Sequence, residues 1–207
     1  MERVVCLIDG FNLYHGIDKT GRDHLKWCDY KMLAGKFLRE GQVLSDVFYF
    51  TGIARFLPEH AQRHERFIAA LGSVGVKTVL GRFKRISRKC GACHKRYTSH
   101  EEKETDVNLA VYLTHLAHSN AFDTAIVISA DSDFSHAIRF VREAFPTKII
   151  GVVFPVSQRK SNVLASVASF TRYMDEKDLR DSLFPARVIA RDGSVIFRPS
   201  RYDPPEM

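Results

Sequence analysis

The chain has 207 residues, 45% hydrophobic and 27% charged, enough apolar material for a full core without disulfide staples and too much for a disordered polymer. No run approaches the roughly 18 apolar residues of a membrane helix, and the stretch from Met1 to Asp9 lacks the cleavage site of a secretory signal, so the expectation is a cytoplasmic protein with no membrane partner. The 31 Lys and Arg against 24 Asp and Glu give +7, a balance suited to a polyanionic partner.

Apolar β-branched runs alternate with segments of helical period, the pattern of an α/β domain with a largely parallel sheet. In chain order the sequence predicts a strand over 4–8, a helix over 29–39, a strand over 43–50, a helix over 58–71 and a strand over 76–80. Pro58 opens the second helix, where its missing N–H costs nothing. Residues 82–100 are basic, contain Cys90-Gly91-Ala92-Cys93 and have no sustained apolar period, so they read as an inserted loop. A helix over 105–117, a strand over 125–129, a helix over 134–143, a strand over 148–153 and a helix over 162–170 follow. Beyond Leu183 the Asp192-Gly193 turn signal between two short apolar runs, then Pro199, Pro204 and Pro205, predict a small hairpin and tail. The expected organisation is one domain over 1–180, including the insert, followed by a C-terminal hairpin and tail over 181–207.

Acidic residues stand directly after two apolar strands: Asp9 after the first, Asp131 and Asp133 after the run that ends at Ala130. Parallel strands would bring these carboxylates to one edge of the sheet, the edge at which open α/β sheets bind ligands. Asp106 opens a helix that must start at the same edge, and it shares a helical face with Leu109, Ala110 and Leu113 that points inward. Asn12 follows Asp9 by three residues, with an amide suited to a phosphate, a water or a carboxylate. Each acid alone has a plain structural use, as a helix cap or a turn closer. Four together repel and call for a cation, and hard divalent ions with oxygen ligands suit such a set. Other α/β chemistries are unsupported: there is no G-x-G-x-x-G after a strand, no P-loop and no G-x-S-x-G elbow, and Phe11 stands where an Asp-nucleophile phosphatase needs its second acid.

Three blocks, Val5-Cys6-Leu7-Ile8-Asp9-Gly10-Phe11-Asn12-Leu13, Glu102-Lys103-Glu104-Thr105-Asp106-Val107 and Val127-Ile128-Ser129-Ala130-Asp131-Ser132-Asp133-Phe134, resemble the signatures of the NYN domain family in its bacterial LabA-like branch. The resemblance covers residues 3 to 175. It implies a PIN-like three-layer α/β/α sandwich with a central, mostly parallel sheet, a Mg²⁺ or Mn²⁺ site, and RNA, single-stranded or structured, as substrate. The residues it points to are Asp9, Asp106, Asp131 and Asp133, with Asn12 beside them. On this reading Asp9 and Asp131 are the most direct metal ligands, Asp106 and Asp133 bind directly or through water, Asn12 and Ser129 fix the site, and Lys103 meets a phosphate oxygen.

Between Arg82 and Arg96 lie seven basic residues, Arg82, Lys84, Arg85, Arg88, Lys89, Lys95 and Arg96, and no acid. They suit a flap that holds a phosphate backbone without reading sequence, with Tyr97 available for stacking. Cys90 and Cys93 have the spacing of a zinc knuckle. Completing a Zn²⁺ shell would take His94, His100, Cys28 or a second chain in a homodimer; a reduced, unliganded pair is the alternative. The remaining histidines, His64 among them, read as surface or core fillers. The leading expectation is a metal-dependent endoribonuclease. An RNA-binding or regulatory module of the same fold comes second, and the four acids favour the enzyme because a binder needs no acidic pocket.

Overall fold

The computed structural model describes residues 1–205. In chain order its elements are β1 (Glu2–Asp9), α1 (Gly10–Asp18), α2 (Tyr30–Gly35), β2 (Gln42–Thr51), α3 (Pro58–Ser73), β3 (Lys77–Leu80), β4 (Arg82–Lys89) and β5 (Arg96–Lys103). The second half comprises α4 (Thr105–His118), β6 (Thr124–Ile128), α5 (Ser135–Ala144), β7 (Ile149–Phe154), α6 (Asn162–Val167), β8 (Phe170–Tyr173), α7 (Glu176–Arg180), β9 (Arg187–Ile189) and β10 (Val195–Phe197).

Six strands form one sheet in the order β3-β2-β1-β6-β7-β8, with every neighbouring pair parallel. β1 and β6 lie at its centre and are buried on both faces, which explains why each reads as an unbroken apolar run. Along β1, Val4, Cys6 and Ile8 enter one core with residues of α1, α2, α3 and α7. Val5 and Leu7 enter the other with α4, α5 and α6. The result is a three-layer α/β/α sandwich. Strand order reverses between β1 and β6, so the crevice at their carboxyl ends is the place such a fold offers a ligand.

Several elements differ from the sequence expectation. α1 starts immediately after β1 with no connecting loop. A Cβ at Gly10 would lie 2.5 Å from the Tyr49 ring and 2.6 Å from the Phe50 carbonyl, so only glycine lets the helix leave the sheet there. Residues 82–100, expected as a loop, form most of an antiparallel hairpin, β4 against β5, in register from Arg82 opposite Lys103 to Lys89 opposite Arg96. The helix expected over 162–170 stops at Val167, and Phe170 instead enters edge strand β8, its ring covering Gly151 of β7. The segment beyond 181 packs on the α1–α3 face: Phe184 and Val188 are buried, and the Trp27 indole N–H donates to the Pro185 carbonyl at 2.9 Å. No helix among the described residues is long and apolar enough to cross a membrane.

Candidate active site

The crevice between β1 and β6 is built from short-range backbone chemistry. Asp9 ends β1 and caps α1, its Oδ1 accepting the Asn12 N–H at 3.0 Å. Its Oδ2 accepts the Ser129 hydroxyl at 2.8 Å. Ser129 Oγ in turn accepts the Asp131 N–H at 3.0 Å, and Asn12 Oδ1 accepts the Ala130 N–H at 2.9 Å. The first turn of α1 therefore clamps the loop that leaves β6. Asp131 then accepts the Asp133 N–H at 3.1 Å, opening a short 3₁₀ turn over Ser132–Phe134. Asp106 projects from the first turn of α4.

This arrangement brings carboxylate oxygens of Asp106, Asp131 and Asp133 within 4.8 Å of one another, the one group of three or more potential ligands among the described residues. Asp9, only 4% exposed, lies outside that trio. Expected as one of the most direct ligands, it has both oxygens engaged by Asn12 and Ser129. Burial, with the neighbouring Asp106 and Asp131 charges adding to it, pushes the Asp9 carboxyl up to about 6. Partial burial and then the charges of Asp131, Glu102 and Asp133 push Asp106 up to about 6 as well. Glu102 is a further acid at this edge that is not among the expected site residues. Its Oε1 accepts the Thr105 N–H at 2.9 Å and the Thr105 hydroxyl, so it holds the start of α4. Among the described residues, none of Asp106, Asp131 and Asp133 forms an ion pair with a Lys, Arg or His. A convergent set of oxygen donors without a counter-cation has the composition that a hard divalent ion takes.

The NYN domain profile matches residues 3–175. The chain belongs to the NYN domain family. This places the acidic crevice on a PIN-like, nuclease-type scaffold. The NYN chain is also 30% identical over 76 residues to the 6-hydroxy-3-succinoylpyridine 3-monooxygenase HspA of Pseudomonas putida; the match spans 37% of this chain and 24% of that protein. In fold it resembles a protein of unknown function from Vibrio parahaemolyticus with a TM-score of 0.57 and 22% identity, covering 88% of this chain and 96% of that one.

In this NYN domain the β4–β5 hairpin leaves the sheet after β3 and re-enters at α4, beside Asp106. Its cations divide into two groups. Arg82 pairs with Glu104 at 2.6 Å, Lys103 with Glu101 at 2.9 Å, and Arg88 with the same Glu101. Lys103 is thus turned to a neighbouring strand acid. Lys84, Arg85, Lys89, Lys95 and Arg96 make no ion pair among the described residues. An aromatic row joins the hairpin base to α1: Phe11 meets Phe83 edge-on at 5.9 Å between centroids, Phe83 meets Phe56 at 5.3 Å, and Phe56 stacks on His100 at 3.7 Å.

Cys90, Cys93 and His94 share the hairpin tip, where the backbone N–H groups of Cys93 and Ala92 hold the Cys90 thiol below its usual range. The structure does not bring the other candidate zinc ligands there. His100 sits four residues down β5, stacked on Phe56. Cys28 is fully buried in the core, its backbone bridged to Leu183.

Proposed function

We propose that this NYN domain is a divalent-metal-dependent endoribonuclease acting at Asp9, Asp106, Asp131 and Asp133. The observation that carries this reading is the convergence of Asp106, Asp131 and Asp133 at the β1/β6 crevice of a nuclease-like family member. Asp106, Asp131 and Asp133 would hold Mg²⁺ or Mn²⁺. Such an ion supplies neutralisation of the carboxylates and polarisation of a phosphodiester oxygen.

The chain's own residues do the positioning. Asp9, locked by Asn12 and Ser129, fixes the loop on which Asp131 and Asp133 stand, so the donor set is organised before any ligand arrives. Glu102 sets the first turn of α4 and with it Asp106. The unpaired hairpin cations offer a phosphate-backbone surface next to that edge. The deciding experiment is cleavage of labelled RNA with Mg²⁺ or Mn²⁺ by the wild type and by Asp131→Asn. The expected result is cleavage that depends on added metal and is lost in the variant; equal cleavage by both proteins would overturn the reading.

A further inference from the structure

Across the N-terminus of α1 from the carboxylates, a cavity of about 180 Å³ opens between α1 and α3. Its floor is aromatic: the ring of Tyr30 meets those of Tyr49 and Phe67 edge to face, each at 5.2 Å between centroids. Phe11 and Phe83 line the side nearest the hairpin, and Tyr202 of the C-terminal segment lines the cavity as well. Polar groups face this apolar space. The Tyr49 hydroxyl and His64 Nε2 are 3.0 Å apart, with Thr51 Oγ1 at 3.4 Å from the same nitrogen. Tyr30 is 3% exposed and lines the cavity with its ring and phenol. Arg63 also lines the cavity; its side chain is 19% exposed, and its guanidinium meets the exposed Glu59 at 3.8 Å.

Size, shape and chemistry select the occupant. An apolar cavity of about 150 Å³ accommodates one benzene ring, so this one fits a single planar ring system and not a length of chain. Aromatic walls suit a π-face. The phenol and imidazole groups suit the polar edge of a heterocycle, and a guanidinium whose ion-pair partner is an exposed carboxylate at 3.8 Å suits a phosphate. Burial pushes His64 down to about 4, so at neutral pH its ring is uncharged and offers one donor and one acceptor. The aromatic row Phe11–Phe83–Phe56–His100 runs from the cavity to the hairpin that carries the unpaired cations.

We propose that this cavity receives one unstacked nucleobase of single-stranded RNA, with the adjoining phosphate on Arg63. The inference rests on the RNA reading above and adds a specificity element to it: a base held in a duplex cannot enter, so unpaired substrate is selected.

The test is NMR titration of the labelled protein with UMP and with AMP in the presence of a chelator, with ribose 5-phosphate and benzoate as control probes. A nucleotide should shift the signals of Thr51, Gly52 and His64, a mapping that requires no variant. Tyr30→Phe, which keeps the ring and removes only the hydroxyl, and Arg63→Met should each weaken nucleotide binding at least about fivefold, the worth of one hydrogen bond or more. Shifts confined to other surfaces, unchanged affinity in both variants, or benzoate or ribose 5-phosphate binding as tightly as UMP would each overturn the assignment. The two readings fail separately. Nucleotide bound here by a protein that cuts no RNA refutes the nuclease alone, whereas metal-dependent cleavage with KM unchanged in both cavity variants refutes the cavity alone.

Discussion

The Ser129 hydroxyl donates to Asp9 Oδ2 at 2.8 Å while its oxygen accepts the Asp131 N–H at 3.0 Å. One side chain at the end of β6 thus couples the buried acid of β1 to the loop that carries the exposed acids. Ser129 is fully buried, so nothing else replaces the bonds it makes. Ser129→Ala should lower kcat for RNA cleavage by one to two orders of magnitude while leaving RNA affinity nearly unchanged. It should also cost about 1–3 kcal/mol of stability, because a buried carboxylate and a backbone N–H each lose a partner. Denaturant midpoints and single-turnover rates check both halves.

Asp106 contributes in the opposite sense to the metal-free fold. A carboxyl raised from 3.8 to about 6 is harder to ionise in the folded chain than in the unfolded one. Above both values it lowers stability, and the penalty fades as pH falls through 6 toward 3.8. Asp106→Asn should therefore raise the stability of the metal-free protein at about pH 8 by roughly 1 kcal/mol, a figure reduced for solvent screening of a half-exposed group. The gain should vanish near pH 4, and RNA cleavage should be lost at every pH. Thermal unfolding in chelator across that range is the measurement.

His64 carries a separate pH signature. Its imidazole, pushed down from 6.5 to about 4 by burial, binds a proton less readily folded than unfolded. The stability it permits is complete above 6.5 and is lost as pH falls toward 4, by up to roughly 3 kcal/mol. The raised carboxyls of Asp9 and Asp106 act oppositely over part of that window, so the total curve mixes all three. The difference between the urea-midpoint profiles of wild type and His64→Gln isolates the histidine: the variant should lose less stability on acidification.

On the proposed reading, the division of the hairpin cations sets the salt dependence of RNA binding. If Lys84, Arg85, Lys89, Lys95 and Arg96 each contact a phosphate of single-stranded RNA, the slope of log K against log salt is about −3.5. Lys84→Ala with Lys89→Ala should make that slope shallower by about 1.4. Lys103→Ala should change it less, because Lys103 is engaged by Glu101. Fluorescence anisotropy at four or five salt concentrations distinguishes the two variants.

The central strands and the meeting of Asp106 with Asp131 are legible in the sequence, because apolar runs buried on both faces advertise parallel strands and strand order dictates where helices begin. α1 was not readable: its run Gly10–Asp18 contains two glycines, and only Leu13 and Ile17 supply a buried apolar pair. The hairpin was misread as a loop because most of its side chains are exposed on both faces, so backbone pairing holds it without leaving a period in the sequence. The role of Asp9 as a clamp and that of His64 as a cavity residue depend on burial and on partners far along the chain. A histidine on α3 looks the same in sequence whether it faces solvent or the hydroxyl of Tyr49. Glu102 is not recognisable as a site residue from sequence because capping from three residues before the first residue of a helix has no fixed spelling.

The hairpin pairs only with itself, and its two ends lie opposite each other at Arg82 and Lys103. Excision of residues 84–101 and closure by a two-residue turn would join a strand pair already in register, with Phe83 and Glu102 kept. On the proposed reading, contact with the phosphate backbone and organisation of the carboxylates fall to separable lengths of chain. A lineage could lengthen, recharge or discard the arm in a single insertion or deletion without revisiting the clamp between Asp9 and Ser129.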